Sequence, residues 1–462
     1  MSRFRMKSAP LLCITLWTAG AGLSGCGPAP ELEEDSVSTQ AQALTEGAPL
    51  TAHDASCLRL QDQNTWTTYA SYMTPVGPAV GMPGVLGDLN RVGPILTSTN
   101  HPPATGYKGG FRWNDGDMAT TEWIPQALTA GVSGSTNVAI VSWHYAPTSP
   151  DKGVRLSVAD ISDMSGSAVN YRHVLLVRPT SSGNFTVVPV HGGGLAWYGN
   201  YLYLADTSQG FRVFDLTQIR QVDTSTACET RIGQYGSVWC AYGYKYVLPQ
   251  VSAYVVPSTI TSPCRPKFSF LGKDTRGTTD VVLSGEYCNS SDAQCPYDGS
   301  TPGLGGRLYR WPVDSATNRL MTVGGSVAPE RAYIMNEPNV QGVAPIMTTT
   351  ATTSYWLSST RYSGALFKVS TGASRTAYLS GSSQWARMPE GMHATASGTN
   401  LWTVTEGYLG STSPASGGRV VFYVDQAAVD GRPPRGPRGL ERADLPPLSQ
   451  NRRLRPLSEA TR

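Results

Sequence analysis

Charge is scarce in this sequence. Asp, Glu, Lys and Arg make up 15% of its 462 residues, against about a quarter in an ordinary soluble domain. The formal net charge is only +3, and no basic stripe interleaves with aromatics, which argues against a nucleic-acid-binding surface. Several chemical signatures are missing as well. There is no Gly-x-Ser-x-Gly elbow, no His-Glu-x-x-His helix and no Walker loop. No Cys-x-x-Cys pair is present and no histidine stands at ligand spacing, so a zinc site has no support. After the first 25 residues nothing is apolar enough for a membrane span.

What is present is turn formers and aromatics: 49 Gly, 33 Pro, 22 Tyr and 11 Trp. Low charge with many turns and rings describes an exported all-β protein rather than a helical or doubly wound one. The N-terminus agrees. Arg3, Arg5 and Lys7 precede an apolar run from Leu11 to Leu23, which has the length of a secretory signal and is too short to span a bilayer. The run ends in Leu23-Ser24-Gly25-Cys26, which resembles a lipobox. That resemblance implies lipidation of Cys26 and attachment to a bacterial envelope, the acyl chains supplying the anchor. Gly27, not an acidic residue, follows, which favours the outer membrane in a Gram-negative cell.

With Cys13 in the signal and Cys26 assigned to lipid, six cysteines remain for an oxidising compartment. They allow many connectivities. Cys288–Cys295 is the first expectation, closing a polar loop. Cys228–Cys240 is the second, and Cys57–Cys264 is left by elimination. Residues 1–25 thus read as signal, 26–50 as a solvated tether and 51–425 as the folded body. Residues 426–462 read as an Arg/Pro-rich disordered tail. Trp66, Tyr69, Tyr72, Phe111 and Trp113 place residues 51–115 with the body, as an edge or cap.

Within the body a unit of short strands recurs. Gly194-Leu-Ala-Trp-Tyr-Gly-Asn200, Tyr201-Leu-Tyr-Leu-Ala-Asp206 and Phe211-Arg-Val-Phe-Asp-Leu216 alternate apolar positions between turn residues, as a meander does. Similar units begin near Pro125, Phe268, Val340 and Pro389, with a poorer one centred on Tyr244-Lys-Tyr-Val-Leu248. Gln341 and Glu390 lie one blade-length apart. A small sheet cannot bury both faces alone, so the repeat predicts sheets stacked around an axis. The expected fold is an all-β β-propeller of about six blades, with five or seven allowed. A pair of β-sandwiches is the rival, but a Greek key would not repeat turn and strand in this order.

The segments Trp123-Ile-Pro-Gln-Ala127, His191-Gly-Gly-Gly194, Tyr246-Val-Leu-Pro249, Gly285-Glu-Tyr287, Gly306-Arg-Leu-Tyr-Arg-Trp311 and Pro389-Glu-Gly391 resemble those of secreted bacterial propeller proteins of mostly unassigned function. More distantly, the chain looks like the lactonase and strictosidine-synthase-like propellers. That second likeness implies exported hydrolase chemistry and calcium held at the axis by Glu, Asn and Asp, although no full ligand set maps onto this sequence. Glu286, Asp292 and Asp298 flank the Cys288–Cys295 loop without EF-hand spacing.

In a propeller the residue just before each inner strand faces the funnel mouth. Gln126, His191, Gln341 and Glu390 hold such positions, and repeated polarity there points to ligand binding. Glu390 and His191 are the candidate catalytic groups, as general acid or base. His144, His173 and His393 read as packed strand residues. Two functions follow: an envelope-tethered binding module for a small molecule, glycan or peptide, or a lactonase-like or lyase-like hydrolase working in the funnel.

Overall fold

The computed structural model describes residues 44–431 except 290–294, 296–302, 348–352, 376, 381–383, 408–410 and 412. The signal, the proposed lipid site Cys26, Asp292, Asp298 and residues 432–462 of the Arg/Pro tail lie outside the described residues. The first residues of the expected tail are a correction: Gln426–Asp430 form a short helix capped by Asp425, with Gln426 and Val429 buried.

Twenty blade strands, numbered here in chain order, make five antiparallel sheets. The first blade is β2 (Trp123–Ser133), β3 (Thr136–Tyr145), β4 (Val154–Asp160) and β5 (Ala168–Ser181). The second is β6 (Leu195–Tyr198), β7 (Tyr201–Asp206), β8 (Gly210–Asp215) and β9 (Tyr246–Val255). The third is β10 (Phe270–Asp274), β11 (Asp280–Gly285), β12 (Arg307–Asp314) and β13 (Arg331–Ile334). The fourth is β14 (Val340–Pro345), β15 (Ser354–Ser359), β16 (Ala365–Ser370) and β17 (Ala377–Ser380). The fifth is β18 (Pro389–Ala394), β19 (Asn400–Thr405) and β20 (Val420–Asp425), completed by β1 (Tyr107–Arg112).

The innermost strands touch in the cycle β2–β6–β10–β14–β18 and back to β2. That closed ring makes the protein a five-bladed β-propeller. It closes through β1, which comes from the N-terminal side of the chain and pairs with β20, Arg112 opposite Val420. Small residues let the ring close tightly. A Cβ on Gly194 would lie 2.2 Å from the Leu271 nitrogen, and one on Gly272 would lie 2.4 Å from the Val343 oxygen. Between the blades the packing is apolar and aromatic, with Trp143, Trp311 and Trp356 fully buried. Burying one such ring contributes about 5 kcal/mol in area terms, an upper figure.

Five blades is one fewer than the preferred count and within the range the sequence allowed. The segment around Tyr244–Leu248 is not a blade of its own; it leads into β9, the outer strand of the second blade. Residues 216–245 separate β8 from β9 and include a hairpin of Ile232–Tyr235 with Val238–Ala241. An outer strand so far from its own sheet carries the same apolar alternation as an independent unit. β9 also pairs in parallel with β5, Val247 opposite Leu175, which covers the edges of the first two blades.

The edge and cap segment is partly both. Thr51–Ala52 extends β13, and the helix Trp66–Met73 packs on β9 and β5. The cysteines pair as Cys57–Cys264, Cys228–Cys240 and Cys288–Cys295. The second of these staples the 216–245 excursion beside its hairpin.

Candidate functional site

Three inner strands open with the same irregularity. Pairing of β2 with β3 slips between Pro125 and Ala127, so Gln126 is the extra residue. β14 slips between Val340 and Gly342, at Gln341, and β18 between Pro389 and Met392, at Glu390 and Gly391. Such bulges re-aim side chains. Hydroxyls on the second strands secure them. Ser142 Oγ accepts from the Ala127 N–H at 3.1 Å and donates to the Gly192 carbonyl at 2.7 Å. Ser358 Oγ donates to the Glu390 carbonyl at 2.6 Å, and Thr403 Oγ1 to the Gly391 carbonyl at 3.2 Å. The Ser142 and Ser358 contacts reach the next blade.

Gln126, His191 and Gln341 converge on one cavity of about 490 Å³ at this mouth. Thr207, Lys267, Ser269 and Tyr287 complete its lining, so every lining side chain carries a polar group. Gln126 is 2% exposed and donates from Nε2 to the Pro125 carbonyl at 3.0 Å. Ser269 stands just before β10, the third-blade counterpart of His191. The position rule used on the sequence applied there too, but a short serine side chain gave no signal. Tyr287 lies in the Gly285-Glu-Tyr287 motif and accepts from Asn339 Nδ2 at 2.8 Å.

The His191 ring is open to solvent and leans on His144, the two ring centres 4.4 Å apart. Crowding by surrounding protein lowers the His191 pKa. For His144, burial and then the neighbouring His191 and Arg419 hold it at about 3. Both imidazoles are therefore neutral at pH 7, each able to donate from one nitrogen and accept at the other.

Glu390 sits beneath the cavity, not in its wall. It is fully enclosed, accepts from Gln341 Nε2 at 3.3 Å and hydrogen-bonds Glu406. Burial, reinforced by the Glu406 carboxyl, pushes its pKa well above the carboxylate range. Burial raises that of Glu406 too, against the pull of Arg419. Two adjoining buried carboxyls disfavour ionising together, and Glu390 is the one held most strongly in its acid form, so it stands there as an acid and not a base.

At the other end of the axis, where the inner strands finish, Lys273, His393, Asn400 and Trp402 line a cavity of about 590 Å³. His393 is half-buried on its wall, its pKa held at about 3 by burial and then by Lys273.

A second buried cluster lies outside the axis. Asp117, in the short helix Asp115–Ala119, accepts from Tyr171 at 2.6 Å, Arg155 at 2.8 Å, His173 Nε2 at 3.0 Å and Arg91 at 3.3 Å. Burial opposes its ionisation, yet these partners hold its pKa far below the usual range. Burial, then Arg155, holds His173 at about 3. His173 Nδ1 meets Ser157 Oγ at 3.0 Å, an Asp–His–Ser order that invites a nucleophilic reading. Ser157 is fully buried, however, and its oxygen also accepts from Trp143 Nε1 at 2.8 Å. The chain Trp143–Ser157–His173–Asp117 is a staple across the first blade. The expectation of a packed His173 fits this place.

No protein-family model matches the chain, and no curated protein matches it in sequence. Among solved structures it is similar to the GH43_1 enzyme from Xanthomonas citri complexed with xylose, with 11% identity and a TM-score of 0.31 over 66% of this chain and 88% of that one. So loose a superposition carries no chemistry across. The propeller assignment stands on the strand ring itself.

Proposed function

We propose that this chain is an exported, lipid-anchored binding module that holds a small neutral polar ligand of sugar size at one mouth of its propeller axis. The observation that carries this reading is the convergence of Gln126, His191 and Gln341 on one cavity of about 490 Å³. That volume suits a small ligand. Amides, hydroxyls, a neutral imidazole and the Lys267 ammonium around a tyrosine ring match the alternating donors and acceptors of a polyol. The hydrolase alternative asks Glu390 to meet substrate. Glu390 is enclosed beneath Gln341 and protonated at pH 7, and only His191 of the two candidate catalytic groups reaches the cavity. Among the described residues no group of three or more His, Cys, Asp or Glu is placed to hold a metal ion, so the proposed binding does not draw on calcium. Anchoring through Cys26 keeps the module at the envelope, and Cys26→Ser is expected to release it from membranes.

Calorimetric titration with a panel of monosaccharides, disaccharides and polyols tests the binding reading. At least one is expected to bind, and His191→Ala and Ser269→Ala are each expected to weaken it by about tenfold, roughly 1.4 kcal/mol. Both variants should keep the wild-type Tm. A panel with no binder, or variants that bind as wild type, would refute it.

A further inference from the structure

The outer edge of the first blade carries a cavity unlike either mouth. It encloses about 270 Å³ and is lined by Arg91, Lys152, Arg172 and Lys245 together with Trp123 and Tyr244. No carboxylate is part of that lining. Two carboxylates stand behind the cations as partners. Asp88 meets Lys245 at 2.7 Å and Arg172 at 3.1 Å, and Asp117 meets Arg91 at 3.3 Å. Asp117 also serves the buried Arg155 at 2.8 Å, so each carboxylate is shared between two cations. His173, on the cavity floor, is neutral. Lys152 has no ion pair within 4.0 Å among the described residues, and its ammonium lies over the Tyr145 ring at 4.8 Å and the Tyr242 ring at 5.8 Å. Three acids stand at the margin: Asp151 accepts from the Gly153 N–H at 2.6 Å, Glu122 from the Tyr145 hydroxyl at 3.3 Å, and the Glu229 side chain comes within 3.9 Å of where a Cβ on Gly243 would sit.

In a chain so poor in charge, four cations around one small cavity make a local positive field that two shared carboxylates do not cancel. Arginine offers paired donors to oxyanions and lysine a point charge, while rings beside them suit a flat or sugar-like body. We propose that this cavity is a second binding site, for a small molecule that carries a tetrahedral oxyanion group, phosphate or sulfate, on a ring. It is independent of the funnel, and the two proposals can fail separately.

The test is calorimetric titration of the purified full-length protein with glucose 6-phosphate, glucose 6-sulfate, inorganic phosphate and glucose, at low and high salt. The phosphate or sulfate ester is expected to bind, and to weaken severalfold as salt rises. Lys152→Gln and Lys245→Gln are each expected to weaken it about tenfold. Esters bound more tightly than inorganic phosphate identify a ring-bearing ligand. Equal affinity identifies the free oxyanion and removes the ring from the proposal. Should Lys245→Gln lower the Tm by freeing Asp88, Lys152→Gln decides alone, since it breaks no ion pair among the described residues. No binding by any of the three anions, or unchanged affinity in Lys152→Gln, would overturn the site.

Discussion

Asp117 and Glu390 are both carboxyls with almost no exposure, and they end in opposite states. Asp117 gathers Arg155, Arg91, Tyr171 and His173 and stays ionised. Glu390 meets a second carboxyl and one amide and stays protonated. Burial penalises the charge in both; the partners decide which penalty is overcome. The same contrast separates a group that holds a blade together from one that lies beneath the mouth without entering it.

The most severe way to break the comparison is Asp117→Asn. It leaves Arg155 buried without its counter-charge and is expected to cost about 3–5 kcal/mol in urea unfolding. A loss below about 1 kcal/mol would mean the cluster is not the staple described. The native charge also has a pH signature. The Asp117 pKa lies below its ordinary 3.8, so its contribution is present above that value and is lost as pH falls below it. Asp117→Asn should flatten that acid limb.

Glu337 extends the comparison to a carboxyl of intermediate fate. Burial raises its pKa to about 8 despite Arg375 at 2.7 Å. Between its ordinary 4.5 and about 8 the folded chain keeps a proton that the unfolded chain releases, so stability falls as pH rises through that window. Glu337→Gln should show a smaller drop in Tm from pH 5 to pH 8 than the wild type. An identical drop in both would contradict the assignment.

Glu390→Gln exchanges one neutral hydrogen-bonding group for another and is expected to change stability at pH 7 by less than about 1 kcal/mol. A loss like that of Asp117→Asn would show that Glu390 is charged. The smallest effect belongs to Asp115, two residues from Asp117 in the same helix. Its side chain is 91% exposed and pairs with Arg112 at 2.7 Å, so Asp115→Asn should cost less than about 0.5 kcal/mol.

The propeller was legible because alternation along β6, β7 and β8, or β18 and β19, is a local signal. The blade count was not, because β9 returns to its sheet after the 216–245 excursion and looks local when it is not. Gln126, Gln341 and Glu390 could be found by their recurring place at the opening of an inner strand, although the structure puts them inside it, at the bulge, and not just before it as the position rule has them. What the bulge does with each side chain depends on partners distant in sequence, such as Glu406 for Glu390. Asp117 left no trace at all, since Arg155, Tyr171 and His173 reach it only through the register of β4 and β5.

The most direct test of the binding account uses the chain's six histidines as reporters. Imidazole NMR signals would be followed while the tightest-binding sugar of the panel is titrated. The account predicts saturable shifts at His191, with its ring neighbour His144 following, and none at His393 on the far mouth. A silent His191, or equal shifts at His393, would contradict a ligand held at the mouth formed by Gln126, His191 and Gln341.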